Sequence, residues 1–204
     1  GLNDALRKAL KAWREILLRG RPRLITEVIG GPSDAVIFTD GSTSDTGSDP
    51  KIGGALFAPW LTAPTGFGES VPNALVDRWM KKRSRITFIE LFGAVCAIAQ
   101  WGTTLTGKRV SMFIDSEAAL DGLIKGYSKS EEACELIAVF WQLVDEYQIT
   151  VYLDKVSTDS NIADGLSRDR QQDYVDAGWT IHRVDANDIV GPNSQFEKYR
   201  QTKN

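Results

Sequence analysis

Apolar and polar positions along the chain follow two periodicities, and the switches between them outline the fold. Residues 2–19 set Leu6, Leu10, Trp13 and Leu17 at spacings of 4, 3 and 4, with Arg7, Lys8, Lys11 and Arg14 elsewhere on the wheel. That pattern predicts an amphipathic helix. Arg19-Gly20-Arg21-Pro22-Arg23 ends it, and Gly30-Gly31-Pro32-Ser33 marks a boundary, so the main domain is expected to begin near Asp34. The apolar run Ala35-Val36-Ile37-Phe38 then reads as a strand that stops on Thr39-Asp40-Gly41-Ser42. Ile52 to Ala58 reads as a second strand and Thr65 to Val71 as a glycine-weakened third, together an antiparallel meander.

From Thr87 the period becomes helical, with Phe88, Leu91, Val95 and Ile98 on one face and Thr87 and Glu90 at the spacing of a capping box. Lys108 to Ile114 is a strand that again ends on a carboxylate, Asp115. A short helix over 116–125, a longer one over 130–147, a fifth strand at Ile149 to Leu153 and a short helix over 162–168 complete the order. The division is therefore 1–33, 34–168 and a polar extension, 169–204, anchored through Trp179 and Ile181.

Composition changes this picture little. Of 204 residues, 42% are hydrophobic, enough for a real core, and the absence of a run of about 18 apolar residues predicts no membrane-spanning helix. Cys96 and Cys134 fall inside apolar helical patterns and read as free thiols, which suits an intracellular setting. His182, the single histidine, has no ligand partners nearby in sequence and reads as structural or exposed. The net charge of −3 is not that of a protein that grips nucleic acid by general electrostatics.

Charge matters more locally. Asp40, Glu90, Asp115 and Asp164 stand at the ends or starts of elements, and each alone has an ordinary explanation as a turn, cap or solvated helix residue. Two of them, Asp40 and Asp115, close apolar strands at the same kind of end. If those strands are parallel neighbours, the carboxylates lie side by side, repel, and call for hard divalent cations with oxygen ligands. Such a centre suits phosphodiester hydrolysis, in which one ion generates the nucleophile and another stabilises the leaving oxygen.

Four segments carry a resemblance: Phe38-Thr39-Asp40-Gly41-Ser42, Ile89-Glu90-Leu91 with Ala94, Phe113-Ile114-Asp115-Ser116, and Asn161-Ile162-Ala163-Asp164-Gly165-Leu166-Ser167-Arg168. Through them residues 34–168 resemble the ribonuclease H domain of retroelement reverse transcriptases, and residues 2–30 are similar to the tail joining polymerase to nuclease. The resemblance implies an α/β fold with a mixed five-stranded sheet, three strands antiparallel and two added parallel, flanked by helices. It implies two Mg²⁺ (or Mn²⁺) ions, Asp40 bridging both, Glu90 and Asp115 completing the leaving-group side, and Asp164 the water side. The implied reaction cuts the RNA strand of an RNA–DNA hybrid to leave a 5′-phosphate and a 3′-hydroxyl.

For substrate, the resemblance points to the backbone of Gly41 and Ser42 at ribose hydroxyls, and to Ser84, Arg85 and Thr87 along the hybrid. The run Lys81-Lys82-Arg83 and Arg85 are candidates for DNA phosphate. Two departures stand out: Leu153 to Asn161 lacks the histidine many relatives carry, with Asp154 near its place, and Lys125 to Ser130 is too short for a basic protrusion. Both lead to an expectation of weak independent hybrid binding, aided by a neighbouring polymerase domain. Two other readings stay open, a catalytically silent connector of the same fold and a related DNA transposase or resolvase.

Overall fold

The computed structural model describes residues 32–44, 49–79, 82 and 85–190, together with 7, 10, 14 and 18. Of the predicted N-terminal helix, Arg7, Leu10, Arg14 and Leu18 are described and helical; the rest of it, and the linker after it, lie outside the described residues.

Six strands form one sheet in the order β5-β4-β1-β2-β3-β6. The first three, β1 (Ala35–Ser42), β2 (Lys51–Phe57) and β3 (Thr65–Ser70), pair antiparallel as a meander. On the other side of β1, β4 (Arg109–Ile114) and β5 (Thr150–Lys155) add parallel. These are the five expected strands. A sixth, β6 (Thr180–Ile181), joins β3 in parallel and comes from the C-terminal extension.

Seven helices are described: α1 (Asn73–Trp79), α2 (Arg85–Trp101), α3 (Glu117–Lys125), α4 (Glu131–Glu146), α5 (Asp164–Ser167), α6 (Gln171–Asp176) and α7 (Ala186–Val190). The α3 helix has a Ser116 N-cap whose hydroxyl accepts from the Ala119 amide, and it stops at Gly126 in the left-handed region, φ 74°. Glycine is needed there because other side chains rarely adopt that conformation.

The sequence pattern predicts one apolar stripe on α2, and the structure corrects this: Phe88 through Ile98 are buried without a break. A helix that is apolar all round is one enclosed on all sides, and α2 lies between the sheet and α4. It also begins at Arg85, two residues before the predicted start, so Thr87 sits in its first turn and not at a cap. Each fully buried Phe or Ile in this layer stabilises the fold by roughly 1.5–3 kcal/mol, enough together to hold an unfavourable group among them.

The opposite face of the sheet is thinner. Phe38 stacks on Phe113 at 5.1 Å and meets Phe57 edge-on, and Phe57 in turn meets Trp179. Over this face the chain lays α5 and α6, while β6 extends the sheet at its β3 edge. Strand glycines admit it: a Cβ on Gly53 would stand 2.6 Å from the Ser167 amide nitrogen, and one on Gly68 would stand 2.2 Å from the Leu166 carbonyl oxygen. What reads in sequence as weakness in β2 and β3 is space for the α5 backbone.

Candidate active site

Parallel pairing of β1 with β4 sets Phe38 opposite Phe113. Two residues on, beyond the last paired positions and on the same face, come Asp40 and Asp115. Glu90 arrives from the helical layer. The α2 helix passes so close to the end of β1 that a Cβ on Gly41 would stand 2.8 Å from the Glu90 nitrogen. As a result Asp40, Glu90 and Asp115 each offer a carboxylate oxygen within 4.8 Å of the others.

Asp40 is 3% exposed and Glu90 4%. Burial, then the charges of Asp40 and Asp115, push the Glu90 carboxyl up to about 9, against a weaker opposing hydrogen bond from the Gly41 backbone. Burial likewise raises Asp40 to about 6; the Ser167 hydroxyl opposes it, and Asp115 and Asp164 reinforce it. One Glu90 oxygen, Oε2, is buried without a hydrogen-bond partner. Such an oxygen is costly to maintain, and the donor set here is entirely hard carboxylate oxygen, which fits Mg²⁺ or Mn²⁺. The trio could hold a metal ion.

Asp164 stands apart from the three. It is half-buried at the start of α5 and close enough to raise Asp40, but its Oδ1 accepts from Arg168 Nε at 2.7 Å. The α5 segment is tied to β1 by contacts that sequence reasoning missed. Asn161 Nδ2 donates to the Thr39 carbonyl at 3.0 Å and to Asp40 Oδ1 at 3.2 Å. The Ser167 hydroxyl donates to Asp40 Oδ2, so both oxygens of Asp40 are oriented by residues flanking Asp164. The signal was present in the octet 161–168: Ser167 and Arg168 follow Asp164 at i+3 and i+4, on its own helix face.

The extension braces this segment from outside. Tyr174 donates its hydroxyl to the Ile162 carbonyl at 2.6 Å, Gln171 Nε2 donates to the Gly68 carbonyl at 2.7 Å, and Trp179 packs edge-on against Tyr174. Trp179 and Ile181 are thus contact points of the extension, as expected.

The predicted substrate residues are placed unevenly. Gly41 and Ser42 are buried at the end of β1, and the Ser42 hydroxyl is committed to the Ser167 carbonyl at 2.6 Å, so that side chain is not available to a ligand. Arg85 is exposed and Thr87 half-buried in the first turn of α2, while Ser84 lies outside the described residues. Lys82, from the basic run, pairs with Glu132 at 3.0 Å; Lys81 and Arg83 are outside the described residues. Cys96 and Cys134 are free thiols, and His182 is exposed. No described helix is long and apolar enough to cross a membrane.

No family model matches the sequence, and no curated protein matches it. Solved structures do. The chain is similar to the N-terminal RNase H domain of a Mycobacterium tuberculosis protein, determined as a fusion with maltose-binding protein. The identity is 13% and the TM-score 0.51, over 72% of this chain and 99% of that one. It is equally similar to RNase H1 from the halophilic archaeon Halobacterium salinarum, at 13% identity and TM-score 0.51, over 68% of this chain and 98% of that one. At such identity the likeness speaks to fold alone: residues of this chain adopt a ribonuclease H-like fold.

Proposed function

We propose that this protein is a divalent-cation-dependent endonuclease that hydrolyses the RNA strand of RNA–DNA hybrids, leaving 5′-phosphate and 3′-hydroxyl ends. The observation that carries the reading is the convergence of buried Asp40 and Glu90 with half-buried Asp115, Glu90 Oε2 being unpartnered. Bringing three acids to one point, two of them buried, costs stability unless something cationic occupies it. A catalytically silent connector has no use for that cost.

Asp40, Glu90 and Asp115 would hold one cation, and Asp40 with Asp164 a second. Bound there, Mg²⁺ or Mn²⁺ would activate a water against the phosphodiester and stabilise the leaving oxygen. The protein's own part is positional. Asn161 and Ser167 fix the two oxygens of Asp40 and Gly41 lets Glu90 approach, and the backbone of Gly41 and Ser42 would meet ribose 2′-hydroxyls, which separate RNA from DNA. Arg85 and Thr87, with Ser84 beside them in sequence, are the proposed contacts along the hybrid.

The four sequence motifs support placement within a reverse transcriptase, residues 34–168 forming the nuclease and a polymerase domain supplying much of the affinity. Paired Lys82 and the short 125–130 turn favour that division of labour. The test is cleavage of end-labelled RNA–DNA hybrid, duplex RNA and duplex DNA with Mg²⁺, with Mn²⁺ and with a chelator. Hybrid-only, cation-dependent cleavage is the expected result. An intact hybrid under all conditions refutes the reading, and preferential cutting of duplex DNA replaces it with a resolvase-type activity.

A further inference from the structure

The acids at the candidate site differ in one respect that bears on how cations enter. Glu90 keeps an unpartnered buried oxygen. Asp164 has a partner, Arg168, one helical turn later, with Nε 2.7 Å from Oδ1. The Arg168 side chain is 52% exposed and that of Asp164 28%. Arg168 is held charged chiefly by Asp164, and Asp40 and Asp115 act on it as well. It also opposes the elevation of Asp40. A positive charge therefore sits on the fourth acid, near enough to Asp40 to be felt there.

We propose that Arg168 is an internal counterion. In the cation-free protein it holds Oδ1 of the Asp164 carboxylate in the role a divalent cation would take, and a cation that uses Asp164 as a ligand must compete with it. The inference rests on the reading of the acids as a cation site. Displacement needs somewhere for the side chain to go, and Asp164 and Arg168 both line an open cleft of about 410 Å³ with Thr158, Asn161, Arg170 and Tyr174. An arginine swung into that cleft stays solvated and keeps its charge. Its backbone role, an amide hydrogen bond to the Gly165 carbonyl at 3.3 Å, needs no movement.

The competition has a direction. Cation binding at Asp40, Glu90 and Asp115 meets no partner of that kind, whereas binding that uses Asp164 competes with a charge-assisted hydrogen bond. The first is therefore intrinsically tighter, and the second is weakened by the strength of the pair.

The test is calorimetric titration of Mg²⁺ into the full chain without nucleic acid, using the parent, Arg168→Gln, Arg168→Lys, Asp164→Asn and the double variant Arg168→Gln with Asp164→Asn. Thermal unfolding without cation verifies that each is folded. Arg168→Gln is expected to tighten the weaker binding step about three- to tenfold, the range for a half-exposed charge-assisted pair. Arg168→Lys keeps the charge and should stay near the parent, and the gain should vanish when Asp164→Asn is added. Parent-like binding by Arg168→Gln, or a gain that survives Asp164→Asn, overturns the counterion role while leaving the cation site standing. Absence of Mg²⁺ binding in parent and variants alike overturns both.

Discussion

Asp40 is approached from two sides, and the two approaches are built differently. From the helical layer comes Glu90, carried on a 17-residue helix that is buried around its whole circumference. From the thin face comes Asp164, at the start of a four-residue helix seated on strand glycines and braced by the C-terminal extension. The first acid is placed by the core, and with no counterion beside it burial keeps its proton on up to about pH 9. The second is placed by a few specific contacts and is neutralised by its own neighbour. The difference shows how a cluster of like charges can be tolerated: the rigid side absorbs the repulsion through burial energy, and the lightly held side relieves it through Arg168.

The largest effect should come from breaking the lightly held side. In Gly68→Ala the new Cβ would stand 2.2 Å from the Leu166 carbonyl oxygen, a backbone atom that can retreat only by moving α5. A loss of about 3 kcal/mol is expected by overpacking, read by urea unfolding. Magnesium affinity at the three-acid cluster should suffer less than affinity at Asp164. An unchanged midpoint would mean that α5 is not seated as described.

The rigid side should reveal itself through pH. Glu90 is raised from 4.5 to about 9 and Asp40 from 3.8 to about 6, so between these limits the folded state binds more protons than the unfolded state. Stability of the cation-free protein must then fall as pH rises from about 5 to 9. Added Mg²⁺ should restore it increasingly at the alkaline end, because binding replaces the protons. In Glu90→Gln the slope should flatten, with a gain on the order of 2 kcal/mol at pH 8 in the absence of cation. Stability that increases over this range in the parent would contradict the buried, uncompensated placement of Glu90.

A smaller effect sharpens the contrast. Tyr174→Phe removes one hydrogen bond, to the Ile162 carbonyl, and should cost about 1 kcal/mol in chemical denaturation. Its pH dependence should match the parent's, since the Glu90 side is untouched.

How much of this could be read from the sequence follows the same division. Asp40 and Asp115 were legible because each ends an apolar strand, and strand ends in neighbouring parallel strands coincide. Glu90 was legible as a candidate, but its spacing from Thr87 suggested a helix cap. The true start at Arg85 and the enclosure of α2 depend on α4, which lies beyond any local pattern. On the thin face, Asp164 was found through its motif, whereas Asn161, Ser167 and Arg168 were passed over. The β1 partners of Asn161 and Ser167 lie more than 120 residues away in the chain, and the i+3 and i+4 spacings of Ser167 and Arg168 from Asp164 gave the local sign. The β6 strand has two residues, too few for an alternating pattern to register.

The measurement that most directly tests the central claim is the rate of hybrid cleavage with Mg²⁺ for Asp40→Asn, Glu90→Gln, Asp115→Asn and Asp164→Asn, each verified as folded by circular dichroism. Loss at all four is predicted. Asp40→Asn should fall about a thousandfold or more, an effect of about 4 kcal/mol on the barrier. Asp164→Asn, whose charge is already shared with Arg168, should fall least. A folded Asp40→Asn that cuts the hybrid at the parent rate would contradict the account.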